Sequence, residues 1–306
     1  MTKLEWCREN APEALKNVPD EELLEVMKLA YERHGHKVVE CEYINGMSID
    51  LGEHEGLLDY MFYSLVLEFG DNLAFKGGYM LTKILNRGYS RRTEDIDFSV
   101  LTDEIYGNIK SKLIEVGNLL ISKGIISRYE LKDVIKQTMS GGIKFYDESG
   151  AYVFGVDVGW QDTTYAVTNY KIGNVECKGF KPERMVGDKL LSILSSKRFR
   201  RAKDLYDLFI ISEECDLNLT LVHGCMRKRQ DLDLLWNNWP FDDVVLREYE
   251  KAYNKLRISS PTGHILQTIG FNDAMERLSS IVECVKESTP DNMSKWDSKR
   301  RLVVKL

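Results

Sequence analysis

Asp95 and Asp97 stand two residues apart in the stretch Arg92-Thr-Glu-Asp-Ile-Asp-Phe-Ser-Val100. The alternation predicts a strand over Asp95–Val100, because residues at i and i+2 of a strand point the same way. Both carboxylates then face one side, while Ile96, Phe98 and Val100 face a core on the other. Two like charges on one face repel each other, and sharing a divalent cation relieves the repulsion. Hard oxygen donors suit Mg²⁺ or Mn²⁺, and Mg²⁺ is commonly held by one or two carboxylates plus phosphate oxygens. Such a cation can activate an attacking hydroxyl and bridge the phosphates of a leaving group. Asp157, inside the apolar run Tyr152-Val-Phe-Gly-Val-Asp-Val-Gly-Trp160, is the candidate third ligand. An unpartnered charge in so apolar a strand would be costly. A pair of acids on a strand edge also occurs as plain solvent-facing surface, so the chemistry depends on what surrounds them.

Two neighbouring segments supply those surroundings. Lys76-Gly77-Gly78 lies between a short extended run and a helical one, 17 residues before the first of the paired acids. Glycine lets backbone approach a ligand closely, and the helix N-terminus behind it offers N–H groups to a phosphate. The bland alternative is a simple strand-to-helix turn. Further on, five of the seven residues from Lys197 to Lys203 are basic in a chain whose formal net charge is -6. This is a local cationic site suited to a triphosphate or a nucleic-acid backbone. Lys189 precedes it on a helix whose other face carries Leu190, Leu191 and Leu194. Asp204 and Asp207 share a helix face three residues apart, and Asp207 could equally pair with Lys203 at i, i+4.

The elements that must position these groups are read from periodicity and punctuation. Helices are predicted over residues 20–34, with Asp20 as cap, and over 55–69, 79–85 and 104–123. Besides Asp95–Val100, extended segments are expected at 72–75, 126–135, 142–148 and 152–160, with a strand pair over 164–175 turning near Gly173. From Pro182 onward the pattern is mainly helical. The expected class is a mixed α and β fold, with residues 1–180 as the core including N-terminal helices and 181–306 as a helical C-terminal domain that completes the site.

Composition narrows the class further. A chain of 306 residues with 43% hydrophobic and 29% charged residues can bury a core without disulfides or a structural metal. The acidic balance argues against indiscriminate binding to nucleic acid. The six cysteines, at positions 7, 41, 177, 215, 225 and 284, form no CxxC pair and suggest no zinc module. No apolar run approaches the ~20 residues of a membrane helix. The N-terminus lacks the apolar centre of a secretory signal, so a cytoplasmic protein with reduced cysteines is expected. His34 and His36 flank a glycine near a helix end and read as capping residues. Trp236, Trp239 and Phe241 could stack on bases, but an apolar anchor suits them better.

Taken jointly, Phe75-Lys-Gly-Gly-Tyr-Met-Leu-Thr-Lys-Ile-Leu85, Arg91-Arg-Thr-Glu-Asp-Ile-Asp-Phe-Ser-Val100 and Gly187-Asp-Lys-Leu-Leu-Ser-Ile-Leu-Ser-Ser-Lys-Arg-Phe-Arg-Arg-Ala-Lys-Asp-Leu-Tyr-Asp-Leu208 resemble the AbiEii/AbiGii toxin family. That family is a MenT-like branch of the DNA polymerase β nucleotidyltransferase superfamily. The resemblance spans roughly residues 55–212 in order and spacing. It implies a nucleotidyltransferase-type central sheet with flanking helices. It also implies a toxin of a bacterial toxin–antitoxin or abortive-infection system, some members of which add nucleotides to the 3′ end of tRNA. Carried over, Asp95 and Asp97 bind Mg²⁺, Gly77 and Gly78 hold the triphosphate with Lys76 nearby, and Thr93 is the hydroxyl before the acidic pair. Lys189 and Asp204 match the lysine and aspartate of the family's later motifs. Gly78 replaces the serine of the wider superfamily's turn. Asp157 matches no motif.

On this reading an NTP is oriented by the Asp95–Asp97 cation, while the glycine turn, Lys189, Arg198 and Arg201 neutralise its phosphates. An acceptor hydroxyl, expected to be an RNA 3′ end with Lys197 and Arg200 also near its backbone, attacks the α-phosphate. A cognate antitoxin protein is the expected partner. The rival readings are transfer to a small molecule or protein hydroxyl, and a non-catalytic binding module.

Overall fold

A computed structural model describes residues 8, 13–23, 26, 41–85, 92–102, 105–135, 140–160, 165–259, 269–289 and 292–305. The elements in chain order are Cys41–Ile44 (β1), Met47–Asp50 (β2), His54–Phe69 (α1), Leu73–Lys76 (β3), Gly77–Ile84 (α2) and Asp95–Val100 (β4). Tyr106–Ser122 (α3), Arg128–Ile135 (β5), Ser140–Tyr146 (β6), Tyr152–Trp160 (β7), Val167–Ile172 (β8) and Val175–Phe180 (β9) follow. Then come Pro182–Leu194 (α4), Lys203–Glu214 (α5), Leu217–Asn218 (β10), Leu219–Met226 (α6), Leu232–Trp236 (α7), Asp243–Ser259 (α8), Phe271–Glu287 (α9), Ser294–Asp297 (β11) and Leu302–Lys305 (β12).

The chain forms two compact units that interleave in sequence. The first comprises Met1–Gly70, Thr102–Asp157 and Gly173–Val175. Within it, β1 and β2 form a hairpin whose turn places Asn45 and Gly46 at positive φ, the backbone that a tight hairpin turn requires. Strands β5, β6 and β7 are neighbours in that order. Gly117 lets α3 lie close on them, since a Cβ there would stand 2.8 Å from the Tyr129 ring. Phe145 and Phe154 stack at 4.3 Å beneath. Lys112 of α3 reaches Glu68 of α1 at 3.1 Å.

The second unit comprises Asp71–Leu101, Val158–Ile172 and Glu176–Leu306. Its strands run in the order β4-β3-β9-β8, with β3 antiparallel to β4 and parallel to β9. This is a mixed sheet, and with its flanking helices it gives the expected mixed α and β class. The helical region packs on α4, whose Val186, Leu190, Ile193 and Leu194 are fully buried against α5 and α6. Helix α9 buries Ala274, Leu278, Ile281 and Val285, spaced for one face.

The C-terminal region holds more than helices. Strands β10, β11 and β12 form a small antiparallel sheet in that order. It is fastened by Trp296, which donates to the Ser212 carbonyl at 2.6 Å, and by Arg277 between the rings of Phe209 and Trp296. These strands are two to four residues long, too short to show a period of two in the sequence. Asp20 is already helical: the Leu23 N–H donates to the Pro19 carbonyl, so Asp20 is the first residue inside the helix rather than its cap. Most of the helix expected over 20–34, with His34 and His36, lies outside the described residues. Trp236, Trp239 and Phe241 are buried, Trp239 and Phe241 edge to face at 5.0 Å, so they anchor the core and present no face to a base. Cys177, Cys215, Cys225 and Cys284 are free. Burial pushes the Cys177 and Cys215 thiols up to about 11, which keeps them protonated and unreactive. No helix of the described residues is long and apolar enough to cross a membrane.

Candidate active site

The acidic strand forms where the alternation placed it. On β4, Ile96, Phe98 and Val100 are buried and Asp95 and Asp97 are half-buried on the opposite face. The register of β3 with β4 sets Phe75 opposite Phe98 and Lys76 opposite Asp97. Phe75 and Phe98 meet at 5.7 Å on the core side. Lys76 and Asp97 therefore share the other face, since directly opposed residues of an antiparallel pair point the same way.

Strand β3 ends at Lys76 and α2 begins at Gly77 with no side chain capping it and no acid in its first turn. Gly77 has φ +72, a left-handed conformation that favours glycine. The space above it belongs to Asp97: a Cβ on Gly77 would stand 2.0 Å from Asp97 Oδ2 and 2.7 Å from its carboxyl carbon. Glycine is thus required twice, by backbone conformation and by the acid pressed against it. The turn brings the uncapped first-turn N–H groups of α2 beside the carboxylate. Gly77→Ala should displace Asp97 or the turn, lowering the melting temperature by several degrees through roughly 1–3 kcal/mol of strain. Thermal unfolding followed by circular dichroism reads this, and an unshifted transition would show that the turn relaxes freely.

Other atoms complete this end of the unit. Thr93 Oγ1 donates to the Asp95 carbonyl at 3.3 Å, fastening the entry to the acidic strand. At the end of β7, a Cβ on Gly159 would stand 3.1 Å from Lys76 Nζ and 3.4 Å from Ser99 Oγ. Ser99 lies on the same strand face as Asp95 and Asp97, is fully buried, and its hydroxyl has no hydrogen-bond partner among the described residues. Asp157, also on β7, is exposed and is the last residue of that segment of the first unit. Among the described residues no group of three or more His, Cys, Asp or Glu side chains is gathered for a metal.

The later motif residues form a second, buried cluster in the same unit. Lys189 on α4 extends its ammonium to Asp207 Oδ2 at 2.7 Å and to Asp204 Oδ1 at 3.4 Å. Arg201 grips Asp204 from the other side, Nε to Oδ2 at 3.1 Å and Nη2 to Oδ1 at 3.5 Å. Lys189, Asp204 and Asp207 are all under 9% exposed, whereas the Arg201 side chain is 52% exposed. Two cations and two carboxylates balance within the cluster. Lys189 is therefore held between acids rather than standing free in solvent. The shared face of Asp204 and Asp207 is used, with Lys189 as its counter-ion. Tyr249 lies close by with its hydroxyl fully buried; burial first and Asp204 second push its pKa up.

Arg198 differs from the expectation. It is buried, with Nε donating to the Ile193 carbonyl at 2.9 Å and Nη2 to the Leu194 carbonyl at 3.0 Å. Its guanidinium lies 4.6 Å from the centre of the Phe241 ring. These are the last carbonyls of α4, which have no partner inside the helix, so Arg198 closes the helix end where a cation also suits the dipole. Asn238 adds a second donor to Leu194 at 2.8 Å. With two of its three nitrogens on backbone, Arg198 is a structural cap on α4.

Phe180 is shared by two cations. Lys76 Nζ and the Arg184 guanidinium carbon each lie 5.5 Å from its ring centre, and Arg184 is one turn before Asp188 and Lys189 on α4. Sequence reasoning missed Phe180, Arg184 and Ser99. None belongs to a readable motif: the pairing of β3 with β4 and β9 locates Ser99 and Phe180, and Arg184 is placed by α4 over the Phe180 ring.

Paired acids against a glycine turn on a mixed sheet, with a lysine–aspartate network on the following helices, define a protein of the nucleotidyltransferase kind. The family profile described as nucleotidyl transferase AbiEii toxin, type IV TA system, matches residues 61–274, and the chain belongs to that family. No match is found among curated proteins. Among solved structures, JHP933 from Helicobacter pylori is 18% identical, with a TM-score of 0.38, over 76% of this chain and 97% of that one. MenT4, a nucleotidyltransferase toxin from Mycobacterium tuberculosis, is 19% identical, with a TM-score of 0.37, over 61% of this chain and 66% of that one.

Proposed function

We propose that this protein transfers a nucleoside monophosphate from an NTP to an RNA 3′ hydroxyl, as the toxin of a toxin–antitoxin pair with a cognate antitoxin protein. The observation that carries the reading is the packing of Asp97 over Gly77, which puts a carboxylate for a cation beside a turn built for phosphate. Asp95 and Asp97 are hard oxygen donors on one half-buried face and fit Mg²⁺ or Mn²⁺. When bound, such an ion supplies charge neutralisation at the triphosphate. The chain's own part is positional. The Gly77–Gly78 turn and first-turn amides of α2 hold phosphate oxygens, and Lys76 adds a positive charge on the same strand face as Asp97. Lys189 and Asp204, with Asp207 and Arg201, fix α4 against α5, the helical part that completes the site. Positioning and fixed charge account for most of the rate in phosphoryl transfer generally.

The test is incubation of the purified chain with each labelled NTP and total RNA, with and without a chelator. Label in RNA that disappears with chelator is expected, and a second arm separates protein from RNA before counting. Label confined to protein or to a small molecule selects the rival acceptors. No label anywhere, with Asp97→Ala as toxic in cells as the wild type, selects a binding module. Asp157 is tested in the same assay: a third ligand requires that Asp157→Ala lose as much incorporation as Asp97→Ala.

A further inference from the structure

The five cations of the Lys197–Lys203 stretch do not act as one patch. Arg198 turns inward to cap α4, Arg201 is drawn onto Asp204, and Lys203 lies half-buried in the first turn of α5. Lys197 and Arg200 remain, both exposed, and neither forms an ion pair among the described residues. Between them sits Phe199, left 40% exposed. An aromatic residue open to water between two cations in a turn needs a reason that core packing does not give.

The turn itself is firmly built. Ser196–Phe199 forms a 3₁₀ turn in which Ser195 Oγ accepts from the Lys197 N–H at 3.1 Å. The Arg200 N–H donates to the Lys197 carbonyl at 3.0 Å, and the Arg201 N–H to the same carbonyl at 3.1 Å. Arg198 fastens the turn from beneath through Ile193 and Leu194. One edge of Phe199 is seated on the buried Tyr249 ring, 6.4 Å away at 84°, which continues into Phe241 and Phe271. The Arg198 guanidinium lies 5.6 Å from the centre of the Phe199 ring, so the ring is held in place, and stacking on its exposed part costs little ordering.

We propose that Phe199 is a stacking platform for one base of a single-stranded RNA, with Lys197 and Arg200 taking the flanking phosphates. The chemistry is that of single-strand recognition, in which aromatic faces take bases of any sequence and cations track the backbone. The proposal rests on the reading that the acceptor is RNA, and it names the surface that would hold that acceptor.

The experiment is fluorescence anisotropy of a dye-labelled short single-stranded RNA against the full chain, with no NTP present. Phe199→Ala should weaken binding roughly tenfold, and Phe199→Trp should keep it, as expected for a stacking contact. Replacing Lys197 and Arg200 together by Ser should make the salt dependence of log K shallower by roughly one and a half, for two single-strand phosphates lost. In the transfer assay Phe199→Ala should raise KM for RNA with kcat unchanged. Thermal unfolding of each variant separates lost binding from lost fold. Equal affinity for wild type and Phe199→Ala overturns the proposal, as does absence of RNA binding by the wild type. If label then enters protein, nucleotidyl transfer stands and this surface falls. If RNA binds through Phe199 yet nothing is labelled, the surface stands and transfer falls.

Discussion

Asp97→Asn should abolish nucleotidyl transfer while leaving the fold in place. Asparagine has nearly the shape of aspartate, so the side chain can still fill the space above Gly77 where a Cβ would lie 2.0 Å from Oδ2. What it loses is one anionic oxygen of the pair that would hold the cation. Several kcal/mol of charge stabilisation comes from such an ion, so the expected fall in incorporation is at least ~10³-fold. A second readout distinguishes a lost ligand from a disturbed strand. Anything that binds only the folded state raises stability, by about 2.7 kcal/mol at a hundred times its Kd. Titrating Mg²⁺ or Mn²⁺ should therefore raise the melting temperature of the wild type and leave that of Asp97→Asn unmoved. If both respond alike, Asp97 holds no ion, and the activity loss must come from elsewhere.

The sequence makes this site legible to an uneven degree, and the unevenness has physical causes. The Asp95–Val100 strand is readable because alternation in a strand with one buried face directly encodes which side each residue takes. The paired role of Asp204 and Asp207 is readable from helical spacing, yet their counter-ion Lys189 lies 15 and 18 residues away, and no local pattern links them. The charge run at 197–203 misleads, because sequence counts charges and does not show that Arg198 is consumed by the end of α4. The β10–β12 sheet is invisible for another reason. Its pairing joins Leu217 to Trp296, so the signal is long-range and each strand alone is too short to declare itself. Phe180 and Ser99 carry no motif at all; the pairing of β3 with β4 and β9 brings them to the site.

The other large effect concerns stability and lies in the buried Lys189 network. Lys189→Met removes a cation that is 8% exposed and with it the contacts to Asp207 at 2.7 Å and Asp204 at 3.4 Å. Breaking a buried ion pair from one side costs about 3–5 kcal/mol, because the remaining charge stays desolvated. For a chain of this size that is a fall in melting temperature of roughly 5–8 °C. Asp207→Asn should cost less, since Lys189 keeps Asp204 at 3.4 Å and an amide oxygen can still accept. The double variant decides the matter. If the cost is that of breaking the Lys189–Asp207 pair from one side, removing both charges restores much of the stability, with a coupling of about 2 kcal/mol or more in the favourable direction. Transfer activity should not return with it. The double variant still lacks the positive charge that with Arg201 holds Asp204. Recovery of stability together with activity would show that Lys189 serves only to neutralise Asp207. Additive losses in both, with no coupling, would show that the distances between these groups do not reflect an energetic pair.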